Sequence, residues 1–207
     1  MTTRDNIHSL QPLGPEELRR ALETVSIRLR ENGADPIEIV VCGGAALIVT
    51  GAVVRTTRDI VIVALASARK LLSPDPLPDD LERAAAEAAE DLGLPATWLN
   101  NGPSRGEGGL FQMGLPKGLG NRCHTRRYGS HLTVHFIGRT DQIHFKLYAA
   151  ADRGGYHIED LSTLDPTDEE LIAAAKWAMT HDVSETFSEV MKNLLRSIGH
   201  DTAADQI

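Results

Sequence analysis

Few residues in this sequence combine a reactive side chain with a setting that would bring it to a ligand. Asp59 opens an apolar run that extends to Ala66, and a paired glycine, Gly43-Gly44, closes an earlier apolar run from Ile37 to Cys42. Glycine at a strand end lets backbone approach a ligand closely, and the helix start after it offers free N–H groups to a phosphate. An acid at the start of the next strand would hold a divalent cation against that phosphate. Lys146 stands among Phe145, Leu147, Tyr148 and alanines, so it either snorkels to water or reaches into a cleft and offsets phosphate charge. Asp160 adds a second acid, in the stretch His157–Leu161. Arg122, Arg126 and Arg127, with His124 and Tyr128, form a dense basic cluster. It suits an RNA backbone or a triphosphate, and equally a strand edge whose charges deter mispairing. His131 and His135 share a strand face, which suits a metal but is commoner as a plain polar sheet surface.

Hydrophobic periodicity supplies the elements that must position these groups. Residues 37–42, 59–66 and 131–137 read as strands, the last with Leu132, Val134 and Phe136 on one face. Pro15 starts a helix with Leu18, Leu22, Val25 and Leu29 in line, stopped at Asn32-Gly33. Ala45–Thr50 forms a helical turn after the glycines, and 67–72 suits a short helix. Asp79 or Asp80 caps a helix that runs to Leu92, with Gly93 as its stop. Gly102–Gly109 reads as the loosest loop, a gate or a plain surface connection. Thr140 or Asp141 caps the helix that carries Lys146. Thr167 with Glu170 makes a capping box, and Asp182 with Glu185 repeats it. The last helix shows Phe187, Val190, Leu194 and Ile198 as its apolar stripe, followed by a frayed polar tail. The expected fold is α/β (α+β), a mixed sheet with helices packed on one face and a helical C-terminal part. Residues 1–14 form a loose N-terminus, 15–157 the core, and 158–200 a helical lobe of the same domain.

Length and composition bound the function. With 207 residues, 42% hydrophobic and 24% charged, the chain has material for a real core. A net charge of −8 excludes a generally basic surface, so a nucleic-acid partner would need a local patch. Two cysteines, Cys42 and Cys123, suit a reducing compartment without a disulfide framework. No leader-like or membrane-length apolar run is visible, so a soluble, cytoplasmic protein without a membrane partner is expected.

Three stretches carry a family likeness: GGAAL to RTTRDI (43–60), GLPKGLGNR (114–122) and IHFKLYAAADRGGYHIEDL (143–161). Together they make the chain resemble the nucleotidyltransferase superfamily with its polymerase β type of palm, in particular the DUF6036/AbiEii branch. That branch includes toxins of bacterial toxin–antitoxin systems. The resemblance implies an NTP substrate, Mg²⁺ as cofactor, and NMP transfer to an acceptor such as a tRNA 3′ end or a protein hydroxyl. It also implies a cognate antitoxin as partner. In that frame Asp59 carries the metal, and Gly43, Gly44, Arg55 and Lys146 bind the nucleotide. Lys146 offsets triphosphate charge, and Asp160 either activates the attacking hydroxyl or orients Lys146. Arg122, Arg126 and Arg127 would meet the RNA.

The chain departs from the pattern at Val61, where a second aspartate is usual. Residues 59 and 61 share a strand face, so two acids there would meet one cation, which Asp59 with Val61 cannot do. The strand at 131–137 supplies no carboxylate either. Three accounts stand open: a degenerate, nucleotide- or partner-binding pseudoenzyme; an inactivating change; or a site completed by another carboxylate such as Asp152 or Asp160. The alternative to an enzyme is a catalytically inert nucleotide- or protein-binding module of the same fold.

Overall fold

A computed structural model describes residues 12–68 and 70–207. The three expected strands are neighbours. β1 (Ile37–Cys42) lies at the centre, antiparallel to β2 (Ile60–Ser67) and parallel to β6 (Leu132–Phe136). Ile39, Val40 and Val41 are all fully buried, which is why this strand is apolar on both faces rather than alternating. Three shorter strands complete a mixed sheet: β3 (Lys70–Leu72) and β4 (Leu99–Asn100) both pair with β2, and β5 (His124–Tyr128) pairs with β6 at the edge. The β1–β2 register shifts between Val40 and Val41, from Val40↔Ala64 to Val41↔Ile62. This bulge re-aims the start of β2 and sets Val61 opposite Cys42.

The helices divide between two apolar clusters. Leu18, Leu22, Val25 and Leu29 of α1 (Pro15–Glu31) enter the sheet core as the spacing predicts, and the alanines of α3 (Asp79–Leu92) let it pack against α1. A second cluster joins Leu47 of α2 (Gly43–Val49) and Ile143 and Leu147 of α5 (Arg139–Arg153) to the C-terminal helices. These are α6 (Tyr156–Thr163), α7 (Asp168–Ala178), α8 (Glu185–Ser197) and α9 (Asp201–Asp205); the short α4 (Leu110–Met113) lies near the sheet. Tyr148 and Trp177 touch both clusters. Among the described residues no helix is long and apolar enough to cross a membrane.

Several local expectations are corrected. In place of the helix expected at 67–72, Ser67 ends β2, Ala68 turns with φ 47 and Lys70–Leu72 pairs back on β2, so strand pairing overrides local propensity. The N-cap of α3 is Pro78 and that of α5 is Gly138, with Asp79 and Asp141 already inside their helices. Thr167 and Glu170 do form the capping box of α7, whereas α8 is capped by Ser184, whose hydroxyl accepts from Phe187 N–H. The buried stripe of α8 is Met191, Leu194 and Leu195, with Val190 turned partly outward. The tail is not frayed, because α9 buries Ala203 and Ala204 completely. Of the N-terminus expected to be loose, residues 1–11 lie outside the described residues. Leu13 is buried and bridges Thr57 through two backbone hydrogen bonds of 2.7 and 2.9 Å.

Candidate functional site

The Leu13–Thr57 bridge fixes the segment that delivers Asp59 to the start of β2. Asp59 Oδ2 accepts from Asn100 Nδ2 at 3.3 Å, and the Thr57 hydroxyl lies 3.5 Å from Oδ1. Asn100 also donates to Thr97 carbonyl and accepts from Gly102 N–H, so it ties Asp59 to the loop after α3. Its β4 position pairs with Val61, which in turn faces Cys42 across β1. The Asp59 carboxylate therefore meets a neutral amide and a hydroxyl, and the ladder position opposite Asn100 holds Val61, not a second acid. Among the described residues no group of three or more His, Cys, Asp or Glu could hold a metal ion. Mg²⁺ usually takes one or two carboxylates together with waters and substrate phosphates, so Asp59 alone gives it no cage made by the protein. The residues present do not fit a protein-held Mg²⁺.

A pocket of about 460 Å³ opens at Asp59, lined also by Arg58, Thr97, Asn100, Gly102 and Arg105. That size suits a small organic ligand, and its two arginines suit an anion. The segment 102–109, expected to be the loosest, forms one wall and is pinned. Ser104 is buried and its hydroxyl donates to Val63 carbonyl at 3.0 Å; Gly106 N–H donates to Asp75 at 2.8 Å. Gly109 lies so close to Ser104 that a Cβ there would fall 2.6 Å from backbone atoms.

Lys146 does not snorkel. It is 4% exposed, and its Nζ donates to Asp160 Oδ2 at 2.6 Å. Arg55 grips the same carboxylate with two hydrogen bonds, 3.1 Å to Oδ1 and 2.8 Å to Oδ2. Both oxygens of Asp160 thus serve cations, the geometry of a group that orients Lys146 and not of a free base. Lys146, Asp160, Gly43 and Gly44 do not line the Asp59 pocket. The two groups meet around Cys42. Burial pushes its thiol up to about 12; the Lys146 charge opposes that and the Asp59 charge adds to it. Such a thiol is inert.

The glycines divide in role. Gly43 starts α2 with φ +70, a conformation that suits glycine, and the space where a Cβ would stand is open. Its carbonyl accepts from Gln142 Nε2 at 3.2 Å. Gly44 is a packing glycine: a Cβ would fall 2.7 Å from Thr57 Oγ1 and 3.3 Å from an Arg55 nitrogen. Gly44→Ala is expected to cost about 1–3 kcal/mol by overpacking. Denaturant titration should also show that Thr57→Ala in that background recovers part of the loss, since contacting sites couple. Additive losses would mean that the contact is not what Gly44 is for.

No protein-family model, curated protein or solved structure matches this chain.

The basic cluster is not one patch. Arg122 forms a two-bond ion pair with Asp141, which is fully buried, so this arginine anchors the start of α5. Arg126 and Arg127 sit on β5, the edge strand, and alternate across it; Arg126 donates to Val49 carbonyl at 2.9 Å. His135 spends both ring nitrogens, on Thr125 and on Glu38, each at 2.8 Å, and His131 contacts Ser130. Asn100, Arg105, Tyr156 and His157 were not singled out from sequence. Asn100 and Arg105 owe their place to pairing between distant segments. The glycine pair before Tyr156 was the one local signal for the others.

Proposed function

We propose that this chain is a nucleotidyltransferase-like protein that binds a nucleoside triphosphate without holding a metal of its own. By this reading, transfer of NMP to an acceptor is weak or silent in the chain as it stands. The observation that carries it is the pocket at Asp59: an arginine-lined cavity of about 460 Å³ beside a lone carboxylate that accepts from Asn100. Arg58 and Arg105 offer charge to phosphates. A tRNA 3′ end as acceptor, and an antitoxin as partner in a toxin–antitoxin system, follow from the motif likeness at 43–60 and 143–161 and belong to the same proposal.

The test is binding of each labelled NTP, with EDTA and with Mg²⁺. Arg105→Glu is expected to weaken binding by at least about tenfold, because a charge-assisted contact is worth ~1.5–3 kcal/mol. Asp59→Ala should leave metal-free affinity unchanged or tighten it, since an unpaired carboxylate repels phosphate. Affinity that requires Mg²⁺ and vanishes in Asp59→Ala would overturn the metal-free reading, and no NTP binding at all would overturn the whole. Val61→Asp places two acids on one strand face and should create Mg²⁺-dependent affinity, and with it transfer to total tRNA. If it gains neither, position 61 is not the missing ligand.

A further inference from the structure

β5 ends one side of the sheet, and among the described residues no strand pairs with its outer edge. Its ladder with β6 keeps one register from His124↔Phe136 to Tyr128↔Leu132, with no bulge. The strand, HTRRY, holds no proline, and His124, Thr125, Arg126 and Arg127 are all exposed. A regular edge of this kind turns the N–H and C=O groups of alternate residues to solvent, a template for a further strand. On the other side of the sheet, β3 and β4 already occupy both ends of the outer edge of β2. Of the usual guards against stray pairing, β5 carries only its positive charge.

That charge lacks a counter-charge. A cavity of about 310 Å³ lies alongside the strand, lined by Arg126, Arg127 and Tyr128 of β5, Ile48 and Val49 of α2 and Pro15 of α1. On its α1 side, Glu16 and Glu23 are both already engaged by Arg19, each at 2.8 Å. Arg126 donates to the Val49 carbonyl and, like Arg127, has no carboxylate partner among the described residues. Like charges opposed across a ladder repel and opposite charges attract. A second copy of this chain paired at β5 would set arginine near arginine. An RNA backbone would meet the guanidinium groups, but it cannot continue the ladder and leaves the apolar lining of the cavity unfilled. An extended acidic peptide meets the charge, the backbone and the cavity together.

We propose that the outer edge of β5 docks an extended acidic segment of a partner protein, which adds to the sheet as a further strand. Successive side chains of that segment alternate between faces, so one acid meets Arg126 and the next meets Arg127. An apolar side chain beside them enters the cavity against Ile48, Val49 and Tyr128. β5 lines no part of the Asp59 pocket, so this docking does not depend on nucleotide binding.

Fluorescence anisotropy with the labelled peptide Thr-Val-Leu-Glu-Glu-Thr-Val-Thr tests it; in antiparallel register its Leu-Glu-Glu run lies opposite Tyr128, Arg127 and Arg126. The wild-type chain should bind this peptide. The version with Lys for both Glu should bind at least about tenfold more weakly, as two cross-strand pairs pass from attraction to repulsion. Two further copies, N-methylated on one or the other set of alternate residues, keep every charge, and the one blocked on the edge facing β5 should lose most of the affinity. In the double variant Arg126→Glu with Arg127→Glu the preference should invert, the Lys peptide now binding more tightly, which a merely misfolded edge would not do. Equal binding of both N-methylated copies and the parent peptide overturns strand addition. No binding of the Glu peptide up to about 1 mM overturns the docking site. Binding of a uridine decamer in its place, lost in the double variant, gives the arginines to nucleic acid and overturns the proposal. A wild-type dimer that the double variant dissolves, seen by analytical ultracentrifugation, overturns the acidic partner in favour of a second copy.

Discussion

Asp160→Ala is expected to destabilise the protein by about 3–5 kcal/mol, the cost of stripping a buried ion pair of one partner. Asp160 and Lys146 side chains are 6% and 5% exposed and lie 2.6 Å apart. Without the carboxylate, the Lys146 ammonium is left in the interior with no counter-charge, and Arg55 loses the anchor that holds its segment to α6. For a chain of this size such a loss lowers the midpoint of thermal unfolding by roughly 6–20 °C. Replacing the pair by apolar residues of similar volume, Lys146→Met with Asp160→Leu, should restore most of the stability, because the desolvation cost leaves together with the attraction. Urea titration of the three chains decides. A loss below about 1 kcal/mol in Asp160→Ala, within the range of exposed pairs, would show that the pair is not buried as described.

Mild acid is the second large effect. In the unfolded chain His157 takes up a proton near its ordinary value of 6.5, whereas in the fold it resists down to about 4. Between those values the unfolded state binds more protons, so stability rises with pH and is lost as pH falls from 6.5 to 4. Below 4 both states are protonated and this contribution stays lost. At about 1.4 kcal/mol per unit the swing is on the order of 3 kcal/mol. Other carboxylates titrate near the lower end, so the measured quantity is the difference between wild type and His157→Asn in urea titrations across that window. The wild-type chain should fall more steeply. Parallel curves would mean that His157 protonates as freely in the fold as outside it.

The elements near the site were largely legible in the sequence. Strands 37–42, 59–66 and 131–137 stood out because apolar runs bounded by proline, glycine and charge have few other uses. The α1 stripe and the α7 capping box are local patterns whose energy comes from residues three and four apart, so they survive whatever packs on them. Lys146 was legible as an anomaly, a charge in an otherwise apolar helix, but its partner was not. Asp160 lies on another helix, and Arg55 comes from a segment 105 residues away from it.

The cases that failed share a cause. Lys70–Leu72 became a strand because β2 offered it an edge. The polar tail became α9 because two alanines found a buried seat. Arg122 looked like surface charge until Asp141 turned inward to meet it.

Composition and periodicity, then, were enough for an α+β chain with an acid at the start of one strand, a glycine pair at the end of its neighbour and a valine two residues past the acid. These depend on near neighbours in the chain. Contacts between distant segments decided the rest: Asn100 set beside Asp59, Arg58 and Arg105 set around one pocket, Lys146 and Arg55 closed on Asp160, and His157 buried beneath Tyr156. Charge balance in a low-dielectric interior depends on which groups meet in space, and one-dimensional spacing does not record that.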